Sequence, residues 1–139
     1  MLGCMAIFHL AASGPRDPDD VWERYARPEL WSTWSPQISR VEVDVERIAE
    51  GTTGHVVGPL GISVDFEVDV WHEETRRWTW TVRPRLPGPS VVPSPQLRLD
   101  HGVVRAGDGT LTWLRVSGPA LVVVPYLLPA RVALHRLVH

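Results

Sequence analysis

The chain has 139 residues, enough for one domain with a buried core and too few for a second catalytic domain. Its 14 basic residues are all arginine, set against 16 acidic ones for a net charge of −2, and no segment gathers them into a phosphate-tracking face. Nucleic acid is therefore not an expected partner. Lysine and asparagine are absent, which excludes a P-loop lysine, a lysine Schiff base and an N-glycosylation acceptor. The one cysteine, Cys4, permits neither an internal disulfide nor a thiolate zinc site, and a reducing cytosol fits this usage.

Residues 1–12 are apolar and read as a first strand. Leu2-Gly3-Cys4 has the look of a lipoprotein cleavage box, but no basic segment or hydrophobic run precedes it, so a leader is not expected. Asp17-Pro18-Asp19-Asp20 is a helix start: Asp17 can accept amide hydrogen bonds, Pro18 suits the first turn, and the two following acids favour the positive end of the dipole. Val21, Trp22 and Tyr25 give this helix an apolar side, and Arg24 and Arg27 suit its end. Pro28 breaks it before a second short turn through Leu30 and Trp31, which Trp34-Ser35-Pro36 closes.

From Gln37 the period changes to two. Val41, Val43 and Val45 alternate with charged residues as a half-buried strand, and residues 51–54 turn the chain into a short strand at 55–57. After a turn at 58–61, Ile62, Val64, Phe66, Val68 and Val70 alternate strictly with polar positions and Trp71. Across a turn centred on Glu74, residues 76–83 carry Trp78, Trp80 and Val82 on one side. Keeping both apolar rows on one face pairs Val70 with Trp78, Val68 with Trp80 and Phe66 with Val82, and places Asp65 opposite Arg83 and Trp71 opposite Arg77. A proline-rich loop at 84–95 precedes a hairpin of residues 96–104 and 110–116. The last helix is expected over 130–138, with Pro125 and Pro129 interrupting anything longer. The apolar run 120–128 is about half the ~20 residues of a membrane span, so none is expected.

This order predicts an α+β fold: a curved antiparallel sheet of about seven strands, with two short helices after the first strand and a C-terminal helix packed on the sheet. One helix over a curved sheet leaves space for an apolar ligand. The segments Val21-Trp22, Pro28 to Ser35 with its two tryptophans, Val41-Glu42-Val43, Gly51-Thr52-Thr53-Gly54, Arg76 to Trp80, Leu99 to Val103 and Gly118-Pro119 together resemble the START-like helix-grip superfamily, also called SRPBCC, of Bet v 1-like fold. Within it the chain is similar to the bacterial polyketide cyclase/dehydrase and lipid-transport type. That resemblance implies a hydrophobic ligand but no particular chemistry, since similar proteins include carriers, cyclases and chaperone activators.

The candidate ligand-binding residues are Trp22, Tyr25, Trp34, Phe66, Val68, Trp78, Trp80, Leu99 and His101. Core packing is the competing reading for Trp22 and Trp34, whereas Trp78 and Trp80 share the covered face with Val82 and are expected to line a pocket. Tyr25, Arg83 and Arg115 are ordinary surface or edge positions by default. His101 falls on the Leu97, Leu99, Val103 face of its strand and is the one ionisable side chain expected to point inward. It is either a satisfied structural histidine or a ligand contact able to act as acid or base. Asp65, Glu67 and Asp69 read as a solvated exterior face. His135 and His139, spaced i, i+4, lack a third ligand, and His55 and His72 sit beside turns. No metal and no cofactor is called for. The leading expectation is a binding or carrier protein in the cytosol for a lipid-like, polyketide or aromatic molecule. An aromatase/cyclase or dehydratase using His101, and an interaction module of the chaperone-activator kind, are the alternatives.

Overall fold

In the computed structural model, which describes residues 5–59, 62–84 and 96–139, alternating apolar residues build seven strands. They are β1 Met5–Gly14, β2 Arg40–Glu42, β3 Thr53–Val57, β4 Ser63–His72, β5 Arg77–Pro84, β6 Leu97–Ala106 and β7 Gly109–Pro119. All neighbours pair antiparallel, in the order β1-β7-β6-β5-β4-β3-β2. Two short helices, α1 Pro18–Ala26 and α2 Trp31–Trp34, follow β1, and α3 Ala120–Val138 closes the order. This is the expected helix-grip arrangement. Residues 1–4 of the expected first strand, the expected loop beyond Pro84, which itself ends β5, and part of the turn expected at 58–61 lie outside the described residues.

The helix-start signal works as read. The Asp17 carboxylate accepts the Asp19 N–H at 2.9 Å, and Pro18, Asp19 and Asp20 occupy the first turn of α1. A 3-10 turn, Pro28–Leu30, leads directly into α2. Both helices press aromatic side chains inward, with Trp22, Tyr25, Trp31 and Trp34 all buried.

Three expectations need correcting. The strand read through Val41, Val43 and Val45 keeps only residues 40–42: pairing with β3 ends at Glu42, Val43 still packs half-buried against the core, and Val45 is exposed. The β4–β5 register holds at Asp65–Arg83, Phe66–Val82 and Val68–Trp80, then shifts across a bulge between Val68 and Val70. Beyond it Val70 faces Thr79 and Trp71 faces Trp78, instead of Val70–Trp78 and Trp71–Arg77. The extra residue, Asp69, reverses the alternation, so Trp71 stacks on Trp22 with centroids 4.3 Å apart. Trp78 and Trp80 remain buried because both lie on the unbulged strand.

The third correction concerns α3, which runs unbroken through both prolines. Pro125 and Pro129 remove the amides that would serve the carbonyls of Leu121 and Pro125. Leu121 is 86% exposed and Pro125 is exposed too, so water can serve those carbonyls without breaking the helix. By length and composition α3 is apolar enough to cross a membrane, but it packs on β1 and β7 and buries Val123, Ala130, Ala133, Leu134, Leu137 and Val138. Its C-terminal end is held by arginines. Arg24 donates to the carbonyls of Arg136 and Leu137, both at 2.9 Å, and the Arg16 N–H reaches Val138 O at 3.1 Å.

On the outer face, Gly102 of β6 pairs with Trp113 of β7, and a Cβ there would fall 2.1 Å from the indole. The Trp113 ring therefore lies against bare backbone, with the Arg77 guanidinium 5.5 Å from its centroid. A Gly102→Ala variant is expected to lose about 1–3 kcal/mol in urea unfolding, and the loss should shrink in a Trp113→Ala background. An equal loss in both backgrounds would mean that the indole is not the obstacle.

Candidate functional site

The inner face of the sheet is filled unevenly. Toward α1 and α2 it carries large rings: Trp78 stands against Tyr25, Trp31, Trp71 and Trp80, and the His101 imidazole stacks on it at 4.1 Å with planes 10° apart. Toward β3 and the first half of α3 the side chains are shorter, and a cavity of about 270 Å³ remains. Val64, Val82, Leu97 and Leu99 contribute from the strands, Trp80 from the aromatic side and Val122 and Tyr126 from the helix. A smaller recess of about 40 Å³ lies beside it, among Tyr25, Trp34, Trp78, His101 and Leu134. Gln37, Ile38, Trp80 and Tyr126 line both spaces, so the recess adjoins the larger chamber at these four side chains.

The two spaces differ chemically. Among the described residues, the chamber is walled by apolar side chains apart from Gln37 and Tyr126. Four residues that border the recess each carry a buried polar atom without a hydrogen-bond partner: Trp78 Nε1, Trp80 Nε1, His101 Nδ1 and Gln37 Oε1. Burial drives the His101 pKa down to about 3, only partly opposed by the Trp78 backbone and the Asp100 charge. The ring is therefore uncharged at neutral pH. Burial likewise pushes the Tyr126 phenol up to about 12, against a hydrogen bond with Gln37.

Residues 5–136 match the family described as polyketide cyclase / dehydrase and lipid transport. The chain belongs to this polyketide cyclase/dehydrase and lipid-transport family. Among solved structures it is similar to Ara h 8.0201, at 16% identity and a TM-score of 0.74 over 96% of this chain and 95% of that one. A protein of Rhizobium leguminosarum gives 13% identity and a TM-score of 0.75 over 97% and 93%. XoxI of Bacillus cereus gives 16% and 0.63 over 92% of each chain. These likenesses show the Bet v 1-like fold. Among curated proteins, none matches this sequence. Family and fold together support binding of a hydrophobic ligand at the level of the family.

For this member of the polyketide cyclase/dehydrase family, the residues singled out from sequence divide into three groups. Tyr25, Trp34, Trp78 and His101 border the recess, Leu99 the chamber, and Trp80 both. Trp22, Phe66 and Val68 border neither: Trp22 is held by its stack on Trp71 and by donating to Glu73 at 2.7 Å, and Val68 is fully buried. Tyr25, read by default as a surface position, is completely buried, and its hydroxyl lies 2.8 Å from Thr112 Oγ1. Since Thr112 gives its own proton to the Gly102 carbonyl, Tyr25 is the donor of that pair.

Sequence reasoning missed Gln37, Ile38, Val56 and Tyr126, and did not single out Val64 and Leu97 although both share faces with named residues. Alternation carries the signal for the last two. Gln37 has none, because it stands just after a proline corner, ahead of the apolar row that begins at Val41. The other ionisable groups are paired or peripheral: His55 pairs with Asp65, Thr81 donates to Asp69 at 2.7 Å, and His135 stacks on His139. Among the described residues no cluster has the makings of a metal site.

The depressed His101 pKa fixes a pH dependence. The unfolded chain takes up a proton near pH 6.5 that the folded chain refuses until about 3, so this contribution to stability is complete above 6.5 and declines as pH falls toward 3. Between pH 6.5 and 5 the decline is on the order of 1–2 kcal/mol. A His101→Gln variant, compared by urea unfolding at both pH values, should lose that much less stability than the wild type. Equal losses would show that the imidazole is not shielded as described.

Proposed function

We propose that the protein binds or carries a hydrophobic small molecule, lipid-like, polyketide or aromatic, held between the sheet and α3. The observation that carries this reading is the chamber of about 270 Å³ walled by Val64, Trp80, Val82, Leu97, Leu99 and Val122. A hollow of this kind sacrifices packing that a purely structural core would keep. An apolar ligand restores those contacts, gaining about 25 cal/mol for each Å² it removes from water. Tyr25, Trp34, Trp78 and His101 meet the ligand at its inner end, and we place the protein in the cytosol.

A cyclase or dehydratase using His101 needs a group that exchanges protons near neutrality. Burial holds this imidazole uncharged with a pKa of about 3, which supports carriage over catalysis. An interaction module does not by itself account for an apolar hollow between the sheet and α3.

The test is a fluorescence titration with the neutral probe N-phenyl-1-naphthylamine. Wild type is expected to bind it with a Kd in the micromolar range. Val82→Trp and Leu97→Trp each place an indole in the chamber and should weaken binding about 10-fold or more while the thermal midpoint holds or rises. Unchanged affinity in both variants would locate the probe elsewhere and overturn the reading.

A further inference from the structure

The indoles of this protein are not treated alike. Trp22 and Trp71 donate to the two carboxylate oxygens of Glu73 at 2.7 and 3.0 Å, Trp31 to the Tyr25 carbonyl at 2.8 Å, and Trp34 to the Arg24 carbonyl at 3.1 Å. Trp78 and Trp80, 2% and 9% exposed, donate to nothing. Buried N–H groups without an acceptor are rare because they forfeit their hydration for no return, so each calls for an explanation. The two rings are neighbours, with centroids 5.2 Å apart, and both border the same small recess. His101, stacked on Trp78, borders the same recess and carries a further unpartnered atom, Nδ1.

Size and charge narrow what such a recess accepts. About 40 Å³ admits one small group and no more, whereas the adjoining chamber of about 270 Å³ takes an apolar body. Among the described residues no arginine, aspartate or glutamate lines either space. A carboxylate would stand there without a counter-charge, and an ammonium would meet two N–H donors head-on.

We propose that the ligand carries one uncharged oxygen, a carbonyl or hydroxyl, seated in the recess to accept hydrogen bonds from Trp78 and Trp80, with its apolar body in the chamber. This rests on the carrier reading above and adds the chemical class: neutral ketones, aldehydes, phenols or alcohols rather than fatty acids or amines. A hydroxyl can in addition donate to His101 Nδ1, for which the neutral ring with its proton on the other nitrogen is the matching tautomer.

Three probes of one shape separate the possibilities: 2-acetylnaphthalene, 2-isopropylnaphthalene and 2-naphthoate, titrated at pH 7.5 into ¹⁵N-labelled protein. The indole cross-peaks of residues 78 and 80 are identified by their loss in Trp78→Phe and Trp80→Phe. With the ketone, both indole protons are expected to move downfield. With the hydrocarbon they should show no such shift. By calorimetry, Trp80→Phe should weaken the ketone about 5-fold or more and change the hydrocarbon by less than about twofold, and naphthoate should bind at least about 10-fold more weakly than the ketone. Ketone binding without movement of either indole, or naphthoate as tight as the ketone, overturns this inference while leaving the carrier reading intact. Binding of none of the three overturns both. If a Trp→Phe variant fails to fold, calorimetry on the wild type still decides: naphthoate as tight as the ketone, or the ketone no tighter than the hydrocarbon, overturns the inference.

Discussion

Trp78 lies flat against His101 and meets Tyr25, Trp31, Trp71 and Trp80 edge-on, tilted or in offset stacks, with centroids between 4.1 and 6.3 Å. Through these contacts one side chain joins both short helices to the middle of the sheet. Rings of this size hold the layers a fixed distance apart, and that spacing continues past the rings to where only valines and leucines remain. Those shorter side chains cannot span it, so the chamber is the direct consequence of packing indoles beside aliphatics under one helix. Its position next to Trp80 follows for the same reason.

Polar groups inside this aromatic cluster are sorted with some care. Tyr25 donates to Thr112, which donates to the Gly102 carbonyl, so a chain of hydrogen bonds crosses from α1 to the sheet with every proton used. Glu73 takes two indole protons and also accepts from Arg47 at 2.7 Å, which holds its carboxyl below the usual range despite some burial. Against that background the unused protons of Trp78 and Trp80 are not a sign of loose construction. They occur where the interior is hollow and nowhere else among the buried indoles described above.

Element order and the identity of the inward rows were legible in the sequence because they depend on local chemistry. Asp17-Pro18-Asp19-Asp20 states a helix start whatever surrounds it, and the alternation through Ile62 to Val68 states a face. His101 was placed inward by the same rule. What stayed hidden depends on partners distant in the chain. Nothing in Val68-Asp69-Val70 signals a bulge, since the extra residue is favoured by Trp71 reaching Trp22 some fifty positions earlier. Pro125 and Pro129 break helices on average, and only the exposed side of α3 on which Pro125 falls explains why they do not here. The division of the site into chamber and recess follows from ring sizes on several strands at once, which no single stretch of sequence displays.

The arginines that hold α3 all act at one end. Residues 136–138 are tied by Arg24 and Arg16 to the start of the domain, while the opposite half, over the chamber, carries two prolines and no bond of that kind among the described residues. The helix is thus a lever clamped at its tip and light at its base. Its resistance to being lifted is graded along its length, with the least resistance where Val122 and Tyr126 cover the hollow. A disturbance of that half can therefore leave the aromatic cluster and the clamped turn in place. Room and restraint thus belong to separate parts: the rings fix how much space there is, and the arginines fix which half of the helix is held.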